Sequence, residues 1–144
     1  MTYSFDGFNY LIRLSKGEHL AEALTQFAEA THTHGVWFSG FGGALEVTLG
    51  FYSLDTKQYK WQTFTGLREI TALQGNLALD EKGAVMQHVH GSFADASFQT
   101  VGGHVKDLIA GATVELFVHR IYGPIQRKTD KDTGLQLLDL SKTL

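Results

Sequence analysis

Apolar side chains follow two different periods in the first part of the chain. Tyr10, Ile12 and Leu14 occupy every second position, which is the period of a β-strand. Ser15 and Glu18 match the capping box that opens a helix, and Gly35 is a residue type that often ends one. Between them, apolar residues recur at spacings of three and four, as on one face of a helix: Leu20, Leu24, Phe27, Ala28 and Thr31. The pattern predicts a strand followed by a long N-terminal helix.

The chain after Gly35 is rich in short runs of β-forming residues. Asp55-Thr56-Lys57 and Asp80-Glu81-Lys82-Gly83 supply turn chemistry between neighbouring runs, which predicts hairpins and antiparallel pairing. Residues 101–112 are ambiguous, and we assign them to a loop or a short helix. The predicted strands are 36–38, 47–52, 58–63, 68–79, 84–93 and 113–121.

The last part of the chain, residues 123–144, is interpreted as a C-terminal tail of a single domain that spans residues 1–144. It contains Pro124, then a mixed-charge segment at 127–132 that is typical of a solvated loop. The tail then carries several apolar side chains, which either dock on their own domain or pack on a neighbouring subunit: Leu135, Leu137, Leu138 and Leu140.

Length, charge and cysteine content narrow the class of protein. The chain has 144 residues, enough for one domain, and its net charge of -3 offers no global attraction to phosphate backbones or anionic lipid. The absence of cysteine excludes disulfides, thiolate nucleophiles and cysteine-ligated metals. We expect a cytoplasmic protein without a membrane segment, because no apolar stretch approaches about 20 residues.

His88 and His90 are the first candidates for chemistry. They lie two positions apart in a predicted strand, so their side chains point to one face about 6.6 Å apart and could bind one ion. The alternative is a polar strand face that meets solvent. His104 follows Gly102-Gly103, and a glycine pair permits close approach of the backbone to a crowded site. Three neutral imidazoles with one open position would suit zinc, although spacing alone does not establish that they converge.

The remaining histidines are weaker candidates. His32 and His34 have the same spacing, but at the predicted end of a helix, where such residues do not share a face, so we expect no metal there. Their alternative role is as cations that complement the helix dipole. His19, on the predicted helix, and His119, in an apolar strand, complete the set.

The glycine-rich segment Ser39-Gly40-Phe41-Gly42-Gly43 does not fit a nucleotide-binding loop. The third glycine of the fingerprint would fall at Leu45, and a strand follows where the loop requires a helix. No basic residue interleaves with the nearby aromatic side chains, so we expect them to pack in the core rather than to stack on bases: Trp37, Phe38, Phe41, Phe51 and Tyr52.

Five ordered motifs over residues 8–122 together resemble the PPC family, the domain conserved in plants and prokaryotes that follows AT-hooks in plant nuclear proteins. They are Ser39-Gly40-Phe41-Gly42-Gly43-Ala44-Leu45, Val47-Thr48-Leu49-Gly50-Phe51-Tyr52, Glu69-Ile70 with Gly75-Asn76, His88-Val89-His90 and Gly102-Gly103-His104.

The resemblance implies an α/β (α+β) domain with a largely antiparallel sheet flanked by a helix, assembled as a homotrimer. It also implies a metal, zinc in the bacterial type, held by His88, His90 and His104. Glu69 and Glu115 lie in further family motifs, without an assigned role.

Three functions remain open from the sequence. The first is a metal-binding trimeric module with a regulatory or interaction role. The second is a zinc-dependent enzyme that acts on a small molecule bound at the open metal position. The third is direct DNA binding, since the family it resembles is often described as DNA-binding because plant members carry AT-hooks. The acidic balance and the absence of an AT-hook segment argue against it.

Overall fold

The computed structural model describes residues 1–123 and 125–141 and consists mostly of β-sheet. Pro124, at the start of the predicted tail, lies outside the described residues. The elements in chain order are β1 (Thr2–Phe5), β2 (Asn9–Ser15), α1 (Leu20–Thr31), β3 (Val36–Ser53), β4 (Gln58–Leu79), β5 (Val85–Ala94), β6 (Thr100–Arg120), β7 (Gln126–Thr129) and β8 (Gln136–Asp139).

The strands form one sheet in the order β1-β2-β6-β3-β4-β7-β8, and β5 pairs with both β4 and β6. Because β3 also pairs with β4 and with β6, the pairings from β3 through β4, β5 and β6 return to β3 in a closed circuit. All pairings are antiparallel except a single parallel pair between β4 and β7. The predicted antiparallel sheet and both predicted hairpins are confirmed, and each pair of predicted strands between residues 36 and 79 is one long strand.

The helix is shorter than predicted. It has 12 residues and is the single α-helix of the described chain, so the expectation of a long helix from Ser15 to Gly35 is wrong. Ser15 ends β2, and Gly17 turns the chain with a φ of 87° before the helix begins at Leu20. The helix ends at Thr31 because His32 adopts the left-handed conformation, with a φ of 51°.

The apolar stripe on α1 is confirmed. Leu20, Leu24 and Phe27 are almost fully buried against the sheet, as parts of one core cluster. Burial of each such side chain contributes about 1.5–3 kcal/mol to folding. The stripe therefore explains why this segment packs on one face of the sheet and leaves the other face open.

The assignment of residues 101–112 to a loop or short helix is wrong, since they form the first half of β6. A β-bulge interrupts the two-residue alternation of apolar and polar side chains in this segment. Leu49 pairs with Val105 but Thr48 pairs with Asp107, which leaves Lys106 as an extra residue. Pairing with β5 on one side and β3 on the other holds this segment extended.

The tail is more ordered than predicted. β7 and β8 form an antiparallel hairpin, so the segment at 127–132 is only partly a solvated loop. Arg127, on β7, is 4% exposed. Leu135 and Leu138 are half-buried on their own domain, whereas Leu137 and Leu140 are exposed.

The prediction that the aromatic residues near the glycine-rich segment all pack in the core is wrong. Phe38 is fully buried, but Trp37, Phe41 and Phe51 are exposed, because neighbours along a strand point to opposite faces. No helix in the described part of the chain is long and apolar enough to cross a membrane.

Candidate metal centre

His88 and His90 lie on β5 and point to the same face of the sheet, as their spacing predicts. Their ring centroids are 5.1 Å apart. Val89, between them, is buried and belongs to the core cluster on the opposite face. The strand therefore presents two imidazoles on the side of the sheet that faces away from the core.

His104 joins them from β6. It is the register partner of His90, and its ring centroid lies 5.3 Å from that of His88 and 5.4 Å from that of His90. The potential ligand atoms of the three histidines all lie within 4.8 Å of one another. Among residues 1–123 and 125–141, this is the one group of three or more possible metal ligands of the His, Asp and Glu types that lie together.

The diglycine before His104 lets three strands approach. A Cβ atom on Gly102 would lie 2.9 Å from the carbonyl oxygen of Gly91 on β5. On Gly103 it would lie 3.0 Å from the carbonyl oxygen of Gly50 on β3. Any larger residue would push β6 away from one neighbour, and the register that places His104 opposite His90 would be disturbed.

The three side chains fit a zinc ion chemically. Ligand nitrogens about 2.05 Å from a tetrahedral zinc stand about 3.3 Å apart, so the rings would have to move closer together to bind one ion. The Nδ1 atom of His104 is buried and has no hydrogen-bond partner in the described chain. A buried nitrogen without a partner is costly, and a metal or a polar ligand would satisfy it.

Two of the three histidines, His88 and His104, have lowered pKa values. Burial lowers the pKa of His88 to about 4, helped by the nearby charge of Arg127. Burial also lowers the pKa of His104 to about 4, with further contributions from His90 and Arg127. Both rings are therefore uncharged at pH 7, which is the charge state that metal ligation requires.

Two aromatic rings flank His104, which sequence reasoning missed. Tyr59 and Trp61 lie two positions apart on β4 and stack on each other. Their ring centroids lie 5.0 and 5.9 Å from that of His104. Gly50 makes room for them, since a Cβ there would lie 2.6 Å from the Trp61 ring. Burial raises the pKa of Tyr59. Their two-residue spacing showed that they share a face, but not that the face was that of His104.

Two buried polar residues adjoin His88 and were also missed. Asn76 is its register partner on β4, and Arg127 approaches from β7. The Nη2 atom of Arg127 lies 3.2 Å from Nδ1 of His88 and donates to Oδ1 of Asn76 at 2.8 Å. Nothing in the mixed-charge segment distinguished Arg127 from its neighbours. Asn76 belongs to the Gly75-Asn76 motif, but only the register of β4 and β5 places it opposite His88.

The other candidate histidines lie elsewhere. His19 contacts Asp107 at the start of α1, and His119 packs edge-on against Phe117. His32 and His34 are not part of a metal-ligand group in the described chain.

Glu69 and Glu115 do not join the three histidines. Both are exposed, and within the described residues neither forms a hydrogen bond or ion pair with them. Glu115 instead lines a groove of about 790 Å³ on the outer face of the sheet, with Leu11, Phe41 and Phe117. That groove reaches Gln74, the register partner of His90.

Comparison with known proteins agrees with this fold. A family model described as the Plants and Prokaryotes Conserved (PCC) domain matches residues 1–121. A proposed DNA-binding protein from Ralstonia eutropha JMP134 is 30% identical, with a TM-score of 0.89 over 96% of this chain and 95% of that chain. A comparison with curated proteins finds no significant match.

Two further structures are also similar. A metal-containing protein from Archaeoglobus fulgidus is 26% identical, with a TM-score of 0.85 over 96% of this chain and 98% of that chain. A plant- and prokaryote-conserved (PPC) protein from Pyrococcus horikoshii is 27% identical, with a TM-score of 0.86 over 99% and 97%. The chain belongs to the Plants and Prokaryotes Conserved (PCC) domain family.

Proposed function

We propose that this protein is a metal-binding module in which His88, His90 and His104 hold one zinc ion or another divalent metal. The observation that carries the proposal is the convergence of their ligand atoms, within 4.8 Å of one another, from two paired strands. The similar protein from Archaeoglobus fulgidus is described as metal-containing, which supports it. We assign the module a regulatory or interaction role, because Glu69 and Glu115, the carboxylates of the family motifs, do not join the three rings to act as proton carriers.

Elemental analysis of the purified protein tests the metal site. We expect one zinc per chain in the wild type and a loss of most of that zinc in His88→Ala and in His104→Ala, since each variant removes one of three ligands. His34→Ala is the matched control, because His34 lies outside the cluster, and it should retain full zinc. Unchanged zinc content in both cluster variants would rule out the site.

The module is proposed to act as a homotrimer. The outer face of the sheet leaves Leu11, Phe41 and Phe117 exposed around the groove, and large exposed apolar patches are typical of association surfaces. Light scattering at micromolar concentration should give three times the mass of the chain. A monomer under those conditions contradicts this part of the proposal.

A zinc enzyme acting on a small molecule is the second candidate. His90 is exposed while His88 and His104 are half-buried, so an ion on these rings would have one side toward solvent. Such an ion could bind an exogenous ligand in its fourth position. Addition of acetate or azide to cobalt-substituted protein should then change its visible spectrum, whereas a constant spectrum would argue for a closed structural site.

Direct DNA binding is the third candidate, and the description of the Ralstonia eutropha relative favours it. Binding through phosphates would weaken steeply as salt concentration rises. A mobility-shift titration at low salt that shows no complex would eliminate it.

A further inference from the structure

Arg127 is the most deeply buried cation near the three histidines. Its side chain donates from Nη1 to the carbonyl oxygen of Gln136 at 2.7 Å and from Nη2 to Oδ1 of Asn76 at 2.8 Å, and Nη2 also contacts Nδ1 of His88 at 3.2 Å. All three partners are neutral. Nε has no partner in the described chain, and burial lowers the pKa of Arg127. The β7–β8 hairpin thus keeps a poorly compensated guanidinium against one ring of the cluster.

The contact between Arg127 and His88 determines where the imidazole carries its proton. A guanidinium has donors and no acceptor, so Nδ1 of His88 must present its lone pair to Nη2. A neutral imidazole has one lone pair and one N–H group. The proton of His88 must therefore lie on Nε2, and in this arrangement neither nitrogen has a lone pair left for a metal.

This polarity is the reverse of that found around most metal-bound histidines. A ligating imidazole ordinarily donates its second N–H to a carboxylate, a carbonyl oxygen or water, which frees the other nitrogen for the metal. His88 instead faces a donor. His90 and His104 have no such contact among the described residues, so His88 differs from the other two rings.

We propose that Arg127 controls the metal affinity of the cluster: its hydrogen bond to Nδ1 of His88 and metal ligation by a neutral His88 exclude each other. A metal binds all three histidines only when the guanidinium releases that bond. The β7–β8 hairpin lies beyond the family match at residues 1–121, and its Arg127 then competes with the metal for the lone pair of His88. This inference rests on the proposed function, because it concerns the same three ligands.

Zinc titration against a competing chromogenic chelator tests the proposal. Arg127→Met keeps a side chain of similar length and removes every donor, and we expect it to bind zinc about tenfold more tightly than the wild type, or tighter still. Lys128→Met is the matched control: it removes the same charge from the next, exposed position of β7 and should leave the affinity unchanged. Equal or weaker affinity in Arg127→Met overturns the proposal while the metal site stands.

A second measurement needs no variant and so does not depend on the folding of Arg127→Met. The ¹⁵N chemical shifts of the imidazole rings in metal-free wild type report which nitrogen of His88 carries the proton. We expect the Nε2–H tautomer before zinc is added and a changed Arg127 side-chain signal afterwards. An Nδ1–H tautomer overturns the inference, whereas absence of zinc binding in both wild type and Arg127→Met overturns the proposed function itself.

Discussion

The side chain of Asp107 joins the start of α1 to β6. Its Oδ1 accepts the backbone N–H of Ala21 at 3.0 Å, and its Oδ2 lies 2.6 Å from Nδ1 of His19, the residue that precedes the helix. The predicted capping serine is not used for this purpose. Ser15 instead donates its backbone N–H to Glu18 within the turn before α1, at 2.7 Å. The helix is therefore capped by a residue 86 positions away from Ala21.

The pair of His19 and Asp107 should make stability depend on pH. The hydrogen bond and charge of Asp107 raise the pKa of His19 above its ordinary 6.5, so the folded chain binds the proton more tightly than the unfolded chain. The resulting stabilisation is fully present below about pH 6.5 and disappears as the pH rises through the raised pKa. Urea unfolding should show a larger loss of stability for His19→Gln at about pH 5.5 than at about pH 9.

Asp107→Asn provides the control for this effect. It removes the charge that retains the proton on His19. In the Asp107→Asn protein, addition of His19→Gln should therefore cost the same stability at both pH values. An equal loss of stability at both pH values in the His19→Gln protein would show that the pair is not coupled to folding.

At the scale of the element, β3 depends on glycines where its register shifts. The pairing of β3 with β4 shifts between Gly40 and Gly42, and Gly42 has a φ of 139°, which side-chain-bearing residues rarely adopt. A Cβ on Gly42 would lie 2.1 Å from the carbonyl oxygen of Thr113 on β6. The bend in β3 that lets its two halves pair with different parts of β6 therefore requires glycine here.

Gly42→Ala should consequently destabilise the fold by at least about 1–3 kcal/mol, because it combines backbone strain with a steric clash. Gly43→Ala is the matched control: the nearest atom to its Cβ would be Cδ1 of Leu67 at 3.5 Å, an ordinary contact. It should change the free energy of unfolding by no more than about 1 kcal/mol. Similar losses for the two variants in urea unfolding would contradict this account of β3.

At the scale of the whole molecule, one row of register partners crosses the outer face of the sheet. It runs through five strands to the metal centre, and its members are Leu11, Phe117, Ser39, Gln74 and His90. Directly opposed residues in an antiparallel sheet share a face, so the apolar groove and the histidine cluster lie on the same side. A subunit that covers the groove would therefore lie close to His90.

Replacement of Leu11 with lysine should weaken the proposed trimer. Leu11 is 59% exposed in the single chain, so Leu11→Lys leaves the core intact but would bury a charge at a subunit interface. Light scattering should show a shift from trimer toward monomer. Phe98→Asn is the control, since Phe98 is exposed in a turn outside the groove, with a φ of 63° that asparagine tolerates. Retention of a trimer by Leu11→Lys would place the interface elsewhere.

Local patterns determined much of the architecture from the sequence alone. The stripe on α1, the strand at Tyr10–Leu14, the turns at Asp55–Lys57 and Asp80–Gly83 and the common face of His88 and His90 all depend on geometry within a few residues. Such geometry is set by the helical and strand periods themselves, and these predictions are confirmed. The motifs also led to the family, which the match over residues 1–121 confirms.

Only the tertiary structure decided which distant segments meet. His104 stands opposite His90 because β6 pairs with β5 in one register, and a shift by one residue would turn its side chain to the core. Arg127 reaches His88 across 39 positions because β7 joins the edge of β4. Contacts of this kind depend on the packing and strand pairing of the whole chain, and the hydrophobic period of a short segment does not determine them.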